Sequence, residues 1–107
     1  MTAVCDLDRL VPERGAGALV DGTPVAVFRL ADGRVLAVQQ RDPFSGANVL
    51  SRGLVGDRSG RATLTSPMHK QVWDLESGEC LDPGGKDPLP LRTYTAQVIH
   101  GTVHLSP

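Results

Sequence analysis

The sequence is poor in the features that would point to a membrane, a nucleic acid or a metal. Its longest apolar runs, such as Val25-Ala26-Val27-Phe28, are far too short to span a bilayer. Charge of neither sign dominates: 11 Lys and Arg stand against 12 Asp and Glu, a formal net charge of -1, with no basic block. That balance sets up no field to draw in nucleic acid or an anionic membrane. The opening residues, Met1-Thr2-Ala3-Val4-Cys5-Asp6, carry no basic segment and meet acid almost at once. They do not read as a signal peptide, and a cytoplasmic location is expected. Only two cysteines occur, Cys5 and Cys80, far apart and outside any Cys-x-x-Cys pair. Alone they cannot supply the ligand set of an iron-sulfur cluster. They read as small, semi-buried hydrophobes kept as thiols in a reducing compartment. No Gly-x-Gly-x-x-Gly or phosphate-binding loop is present, so the chain is not expected to bind a nucleotide. Ser66 and His69 lie close in sequence, but no acidic partner is apparent and Ser66-Pro67 is no nucleophile elbow, so a hydrolytic site is not expected.

Punctuation, by contrast, is dense: 12 Gly and 8 Pro in 107 residues. Asp21-Gly22, Asp32-Gly33, Ser77-Gly78 and His100-Gly101 each lie between strand-like segments. Gly in second place supplies the positive φ that a tight hairpin turn needs. Strands are predicted over 18–20, 23–30, 34–39, 61–65, 71–75, 92–99 and 102–105. In the penultimate one, Tyr94, Ala96 and Val98 alternate with Thr93, Thr95 and Gln97, the pattern of a strand with one wet face. The 23–30 segment is apolar on both faces and is expected to lie centrally. Helix is scarce: one turn over 7–10 and a short piece within 44–52. Residues 82–90, rich in Pro and Gly, read as a surface loop. The length, residues 1–107, amounts to one domain with one modest core and no second one.

Two segments share a shape. Asp42-Pro43-Phe44-Ser45-Gly46-Ala47 and Ser66-Pro67-Met68-His69-Lys70-Gln71 each follow a predicted strand and begin with a small polar residue and a proline. The second runs into Val72-Trp73-Asp74-Leu75 and the Ser77-Gly78 turn. The arrangement resembles the Rieske [2Fe-2S] domain, whose paired loops each carry a Cys and a His and whose second loop leads into an aromatic-Asp-Leu strand. In that family two thiolates hold one iron and two imidazoles the other. Asp42 and Ser66 stand where the cysteines would be and Phe44 stands at the first histidine position, so only His69 matches a ligand. Prolines, glycines and strands survive while the ligands do not.

The closer resemblance is to the small subunit of assimilatory NAD(P)H-nitrite reductase, a Rieske-like family without the cluster. It covers roughly the whole chain, through Val4-Cys5-Asp6-Leu7, Val25–Arg29, Asp42–Ser45, Val49–Gly53, Ser66–Gln71, Trp73–Leu75 and Gly78–Leu81. The resemblance implies an all-β fold: a Rieske-like antiparallel β-sandwich with a small subdomain formed by the two former ligand loops. It implies no catalytic, cofactor-binding or metal-binding residue on this chain. It also implies a nitrite reductase large subunit as partner, bearing flavin, an iron-sulfur cluster and sirohaem and reducing nitrite to ammonium. Two rivals stand beside it: a Rieske ferredoxin carrying electrons, and a cluster-free binding module of another oxidoreductase.

Phe44, Met68, His69, Lys70 and Gln71 are the candidates for a partner interface. Phe44 and Met68 form an apolar patch at one end or fill the space a cluster would occupy. His69 is a relic ligand at a loop tip or an ordinary hydrogen-bonded loop histidine. Lys70 and Gln71 present a charge and an amide to a partner or form a solvated pair entering a strand. Trp73 reads as core. His100 and His104 read as turn and strand-face residues. Arg52, Arg58 and Arg61 flank a Gly-rich turn, either as anion binders or, the favoured reading, as a solvated turn.

Overall fold

Turn chemistry accounts for much of the architecture. In the computed structural model, which describes residues 1–107, both residues of Asp21-Gly22 (φ +50° and +80°) and of His100-Gly101 (φ +50° and +78°) are left-handed. Two successive positive φ values give the hairpin turn whose twist matches its flanking strands. Each pair thus closes a tight hairpin: β2 (Gly15–Val20) with β3 (Thr23–Arg29), and β9 (Thr93–Ile99) with β10 (Thr102–Ser106). The other strands are β1 (Thr2–Asp6), β4 (Val35–Gln39), β5 (Leu54–Arg58), β6 (Arg61–Thr65), β7 (Val72–Asp74) and β8 (Cys80–Asp82). A third such hairpin, at Ser59-Gly60, joins β5 to β6.

All named pairings are antiparallel. They form a six-stranded sheet, β1-β10-β9-β4-β3-β2, and a four-stranded sheet, β5-β6-β7-β8. The larger sheet folds over so that its outer strands β1 and β2 approach each other. No helix is long and apolar enough to cross a membrane.

The expectation of a single core is overturned. One apolar cluster joins Ala26, Phe28, Val38, Leu50, Leu64, Trp73, Leu75 and Leu91 between the two sheets. A second joins Leu10, Val20, Val25, Val27, Ala37, Tyr94, Val103 and Leu105 inside the folded larger sheet. Strand β3 is the reason. Successive side chains of a strand point to opposite faces, so β3 gives Val25 and Val27 to one cluster and Ala26 and Phe28 to the other. It is apolar on both faces because both are covered, and it lies between β2 and β4.

Three further expectations change. The wet-face pattern of β9 fails at Val98, which is 43% exposed. Its neighbour β4 pairs only with Thr93 and Tyr94, so the far half of β9 runs beyond the core. The helical piece within 44–52 shrinks to one 3-10 turn, Leu50–Arg52. Asp42 Oδ1 accepts from the Phe44 and Ser45 amides, and a bridge pairs Arg41 with Asn48, so local side-chain bonding displaces helix there. Strands β1, β5 and β8 escaped the sequence reading, being short or largely exposed.

Candidate functional site

Three loops meet at one end of the four-stranded sheet. The first leaves β4. Asp42 N donates to Ala47 O at 2.8 Å and Gly46 N to Asp42 O at 2.7 Å, which folds the segment back on itself. The second joins β6 to β7 and is closed by Ser66 N donating to Gln71 O at 2.8 Å. Its inner turn is held by Met68 N donating to Ser66 Oγ at 3.1 Å, and Lys70 is left-handed, with φ +61°. The third follows β8 and is anchored where Trp73 Nε1 donates to Leu89 O at 2.8 Å.

The first two loops are joined directly. Ser66 Oγ donates to Asp42 Oδ2 at 2.5 Å, and both residues are out of contact with solvent. The carboxylate therefore accepts from one hydroxyl and two backbone amides, Phe44 N at 2.8 Å and Ser45 N at 3.3 Å. A buried carboxylate without such partners would be strongly destabilising. The sequence showed no acidic partner for Ser66, and Asp42 is that partner. The pairing still makes no hydrolase, because Ser66 is buried while His69 stands exposed. Beside the pair the Phe44 ring packs on Trp73, with centroids 5.9 Å apart and planes inclined at 37°.

The candidate interface residues separate. Met68, His69 and Lys70 are exposed at the tip of the second loop, and Phe44 is half-buried. His69 is exposed and makes no side-chain hydrogen bond to another residue of the chain. Gln71 is a correction. It is buried under the third loop, with its amide against Gly84 and its Oε1 without a donor, and presents nothing to a partner. The backbone bond from Ser66 turns it inward. Leu89, 40% exposed, belongs to the same end and was missed. Nothing in sequence marks it, because its place depends on the indole of Trp73, 16 residues away.

Away from the loop tips, Arg61 is not simply solvated. It donates from Nε to Asp74 Oδ2 at 2.8 Å and from a terminal nitrogen to Glu79 Oε2 at 2.9 Å, tying β6 to the end of β7 and to the turn that precedes β8. Burial pushes the Asp74 carboxyl up, but the Ser77 amide, the Arg61 guanidinium and the Glu76 amide outweigh it and hold the group below its ordinary value. Arg52 and Arg58 form no ion pair. Cys5 and Cys80 are half-buried thiols packed against different cores.

The residues present do not fit a [2Fe-2S] cluster. At the two positions that would need soft thiolates stand Asp42 and Ser66, oxygen donors already spent on each other. Phe44 has no donor atom, and its ring is engaged with Trp73. His69 alone remains. The two loops therefore define a Rieske-type domain that has kept its loop framework with a different chemistry inside it.

Comparison with known proteins agrees. The family model described as "Rieske-like [2Fe-2S] domain" matches residues 1–106. The nitrite reductase (NADH) small subunit of Salmonella typhimurium is 36% identical over 103 residues, covering 95% of this chain and 93% of that protein. A crystal structure of a Mycobacterium tuberculosis protein, described as an NADH-dependent nitrite reductase small subunit, superposes with a TM-score of 0.88 at 48% identity, covering 97% of this chain and 91% of that one. The nitrite reductase [NAD(P)H] large subunit of Klebsiella oxytoca is 40% identical over 101 residues, covering 94% of this chain but only 10% of that polypeptide. The chain belongs to the Rieske-like domain family and, within it, to the nitrite reductase small subunits.

Proposed function

We propose that this chain is the small subunit of a cytoplasmic NAD(P)H-nitrite reductase of nitrate and nitrite assimilation, performing no redox chemistry itself. It docks on a large subunit that carries flavin, an iron-sulfur cluster and sirohaem, and supports that subunit's conversion of nitrite to ammonium. One observation carries the reading. The same domain matches a separate small subunit along nearly its whole length, and also one tenth of a large-subunit polypeptide. Joining two modules in one chain raises their effective concentration toward each other, so a domain found both fused and free is best read as acting against that larger body. The electron-carrier rival is disfavoured by the Asp42–Ser66 donor set.

The docking face in this reading is the loop end bearing Phe44, Met68, His69 and Lys70. Met68 and Leu89 are exposed apolar side chains there, 48% and 40% accessible, beside a cationic lysine. Apolar anchors with a charged rim are what a partner interface uses. The test is co-expression with a candidate large subunit. Met68→Asp combined with Lys70→Asp is expected to cut co-purification at least tenfold, and with it nitrite-dependent NADH oxidation, while leaving the thermal midpoint of the isolated domain unchanged. Undiminished association would retire this face.

A further inference from the structure

The disagreement between the fold and its donor set leads further. We propose that the Ser66–Asp42 hydrogen bond is the brace between the two loops, taking over the mechanical part that two thiolates on one iron play in cluster-bearing domains, and that Ser66 and Asp42 are thus positioning residues for the loop end. The inference deepens the docking reading, since its value to the protein lies in a preformed face, but the brace itself is tested without a partner.

Four observations converge on it. The bond spans 24 residues of sequence and is the one side-chain hydrogen bond joining these two loops. It is fully buried, so water does not compete for either group. Both ends are built into loop geometry: Asp42 Oδ1 accepts from Phe44 N and Ser45 N in the first loop, and Ser66 Oγ accepts from Met68 N in the second. The route from Met68 N through Ser66 Oγ and the Asp42 carboxylate to Phe44 N therefore crosses from one loop to the other through a single hydroxyl. Finally, the two residues are complementary. The carboxylate has no donor of its own and the hydroxyl supplies one. A hydrogen bond in a dry site is worth more than one that water can reach. Without Ser66 the buried Asp42 Oδ2 would lose its donor, and without Asp42 the buried Ser66 hydroxyl hydrogen would lose its acceptor, which gives a physical reason for the two to occur together.

Amide hydrogen exchange of the whole chain tests this. Ser66→Ala removes the hydroxyl that Asp42 accepts from while replacing no residue of the first loop. Exchange at Phe44 and Ser45, whose acceptor is Asp42 and not Ser66, is expected to quicken about tenfold. Exchange at Val27 and Ala37, in paired strands, is expected to stay unchanged. A purely local role for Ser66 would accelerate Met68 alone. Ser66→Cys, nearly isosteric with a weaker donor, gives a smaller acceleration in the same two amides and serves if the alanine variant does not fold. Unaltered exchange at Phe44 and Ser45 in the folded variant overturns the brace, whatever the partner does. Faster exchange with undiminished co-purification upholds the brace and counts against the docking face instead.

Discussion

The ring of Phe44 lies 5.9 Å from that of Trp73 and inclined 37° to it, so the first loop is seated on the core that lies between the two sheets. Phe44 is half-buried rather than enclosed. Phe44→Ala should cost about 2 kcal/mol in urea denaturation, below the range for a fully buried aromatic because part of the ring already meets solvent. Phe44→Leu should recover more than half of that.

Trp73 also holds the third loop. Trp73→Phe keeps the aromatic body in the core but removes the N–H that Leu89 O accepts. The expected cost is about 2 kcal/mol, from lost volume and one lost hydrogen bond. The discriminating readout is limited proteolysis: cleavage within 82–90 should quicken, while cleavage at the Asp21-Gly22 turn should not.

Gly78 is the glycine least open to change. It is left-handed, with φ +78°, and a Cβ there would stand 2.2 Å from Leu91 O. Leu91 in turn donates its amide to Gly78 O at 2.9 Å and buries its side chain in the core. Gly78→Ala should destabilise the domain by about 3 kcal/mol, combining left-handed strain with a forced backbone shift. A thermal melt measures the loss. An alanine at Gly101, where a Cβ meets nothing, should cost only the strain, about 1 kcal/mol.

Asp74 makes stability depend on acid. Its carboxyl sits below its ordinary value in the folded chain, so the unfolded state takes up the proton first. The contribution is fully present above the unfolded carboxylate value of about 3.9 and is lost as pH falls through the lower, folded value. Thermal midpoints should drop steadily below about pH 4. Asp74→Asn should lower the midpoint at neutral pH and flatten that drop. Equal steepness in the two proteins would show that other carboxylates govern acid unfolding.

Much of the framework was legible because its determinants are local. Period-2 alternation and the Asp-Gly and His-Gly pairs located seven of the ten strands, and the paired Pro loops pointed to the family. The failures share a cause. Strand β5 has only Leu54 and Val55 as apolar residues and takes its form from pairing with β6. Gln71 looks like a surface amide beside Lys70, yet the closure of its loop turns it inward.

The sequence by itself determined that thiolates are missing from the loop positions where a Rieske cluster would need them, because the kind of donor atom is fixed by residue identity. It also determined two of the hairpins, β2–β3 and β9–β10, because their left-handed turns are written in the adjacent residues Asp21-Gly22 and His100-Gly101. Only the tertiary structure decided what became of Asp42 and Ser66. A hydrogen bond between groups 24 residues apart exists only once two sheets have packed and driven water from between the loops. The second core, the partners of Arg61 and the place of Leu89 were decided in the same way, by which strands ended up as neighbours.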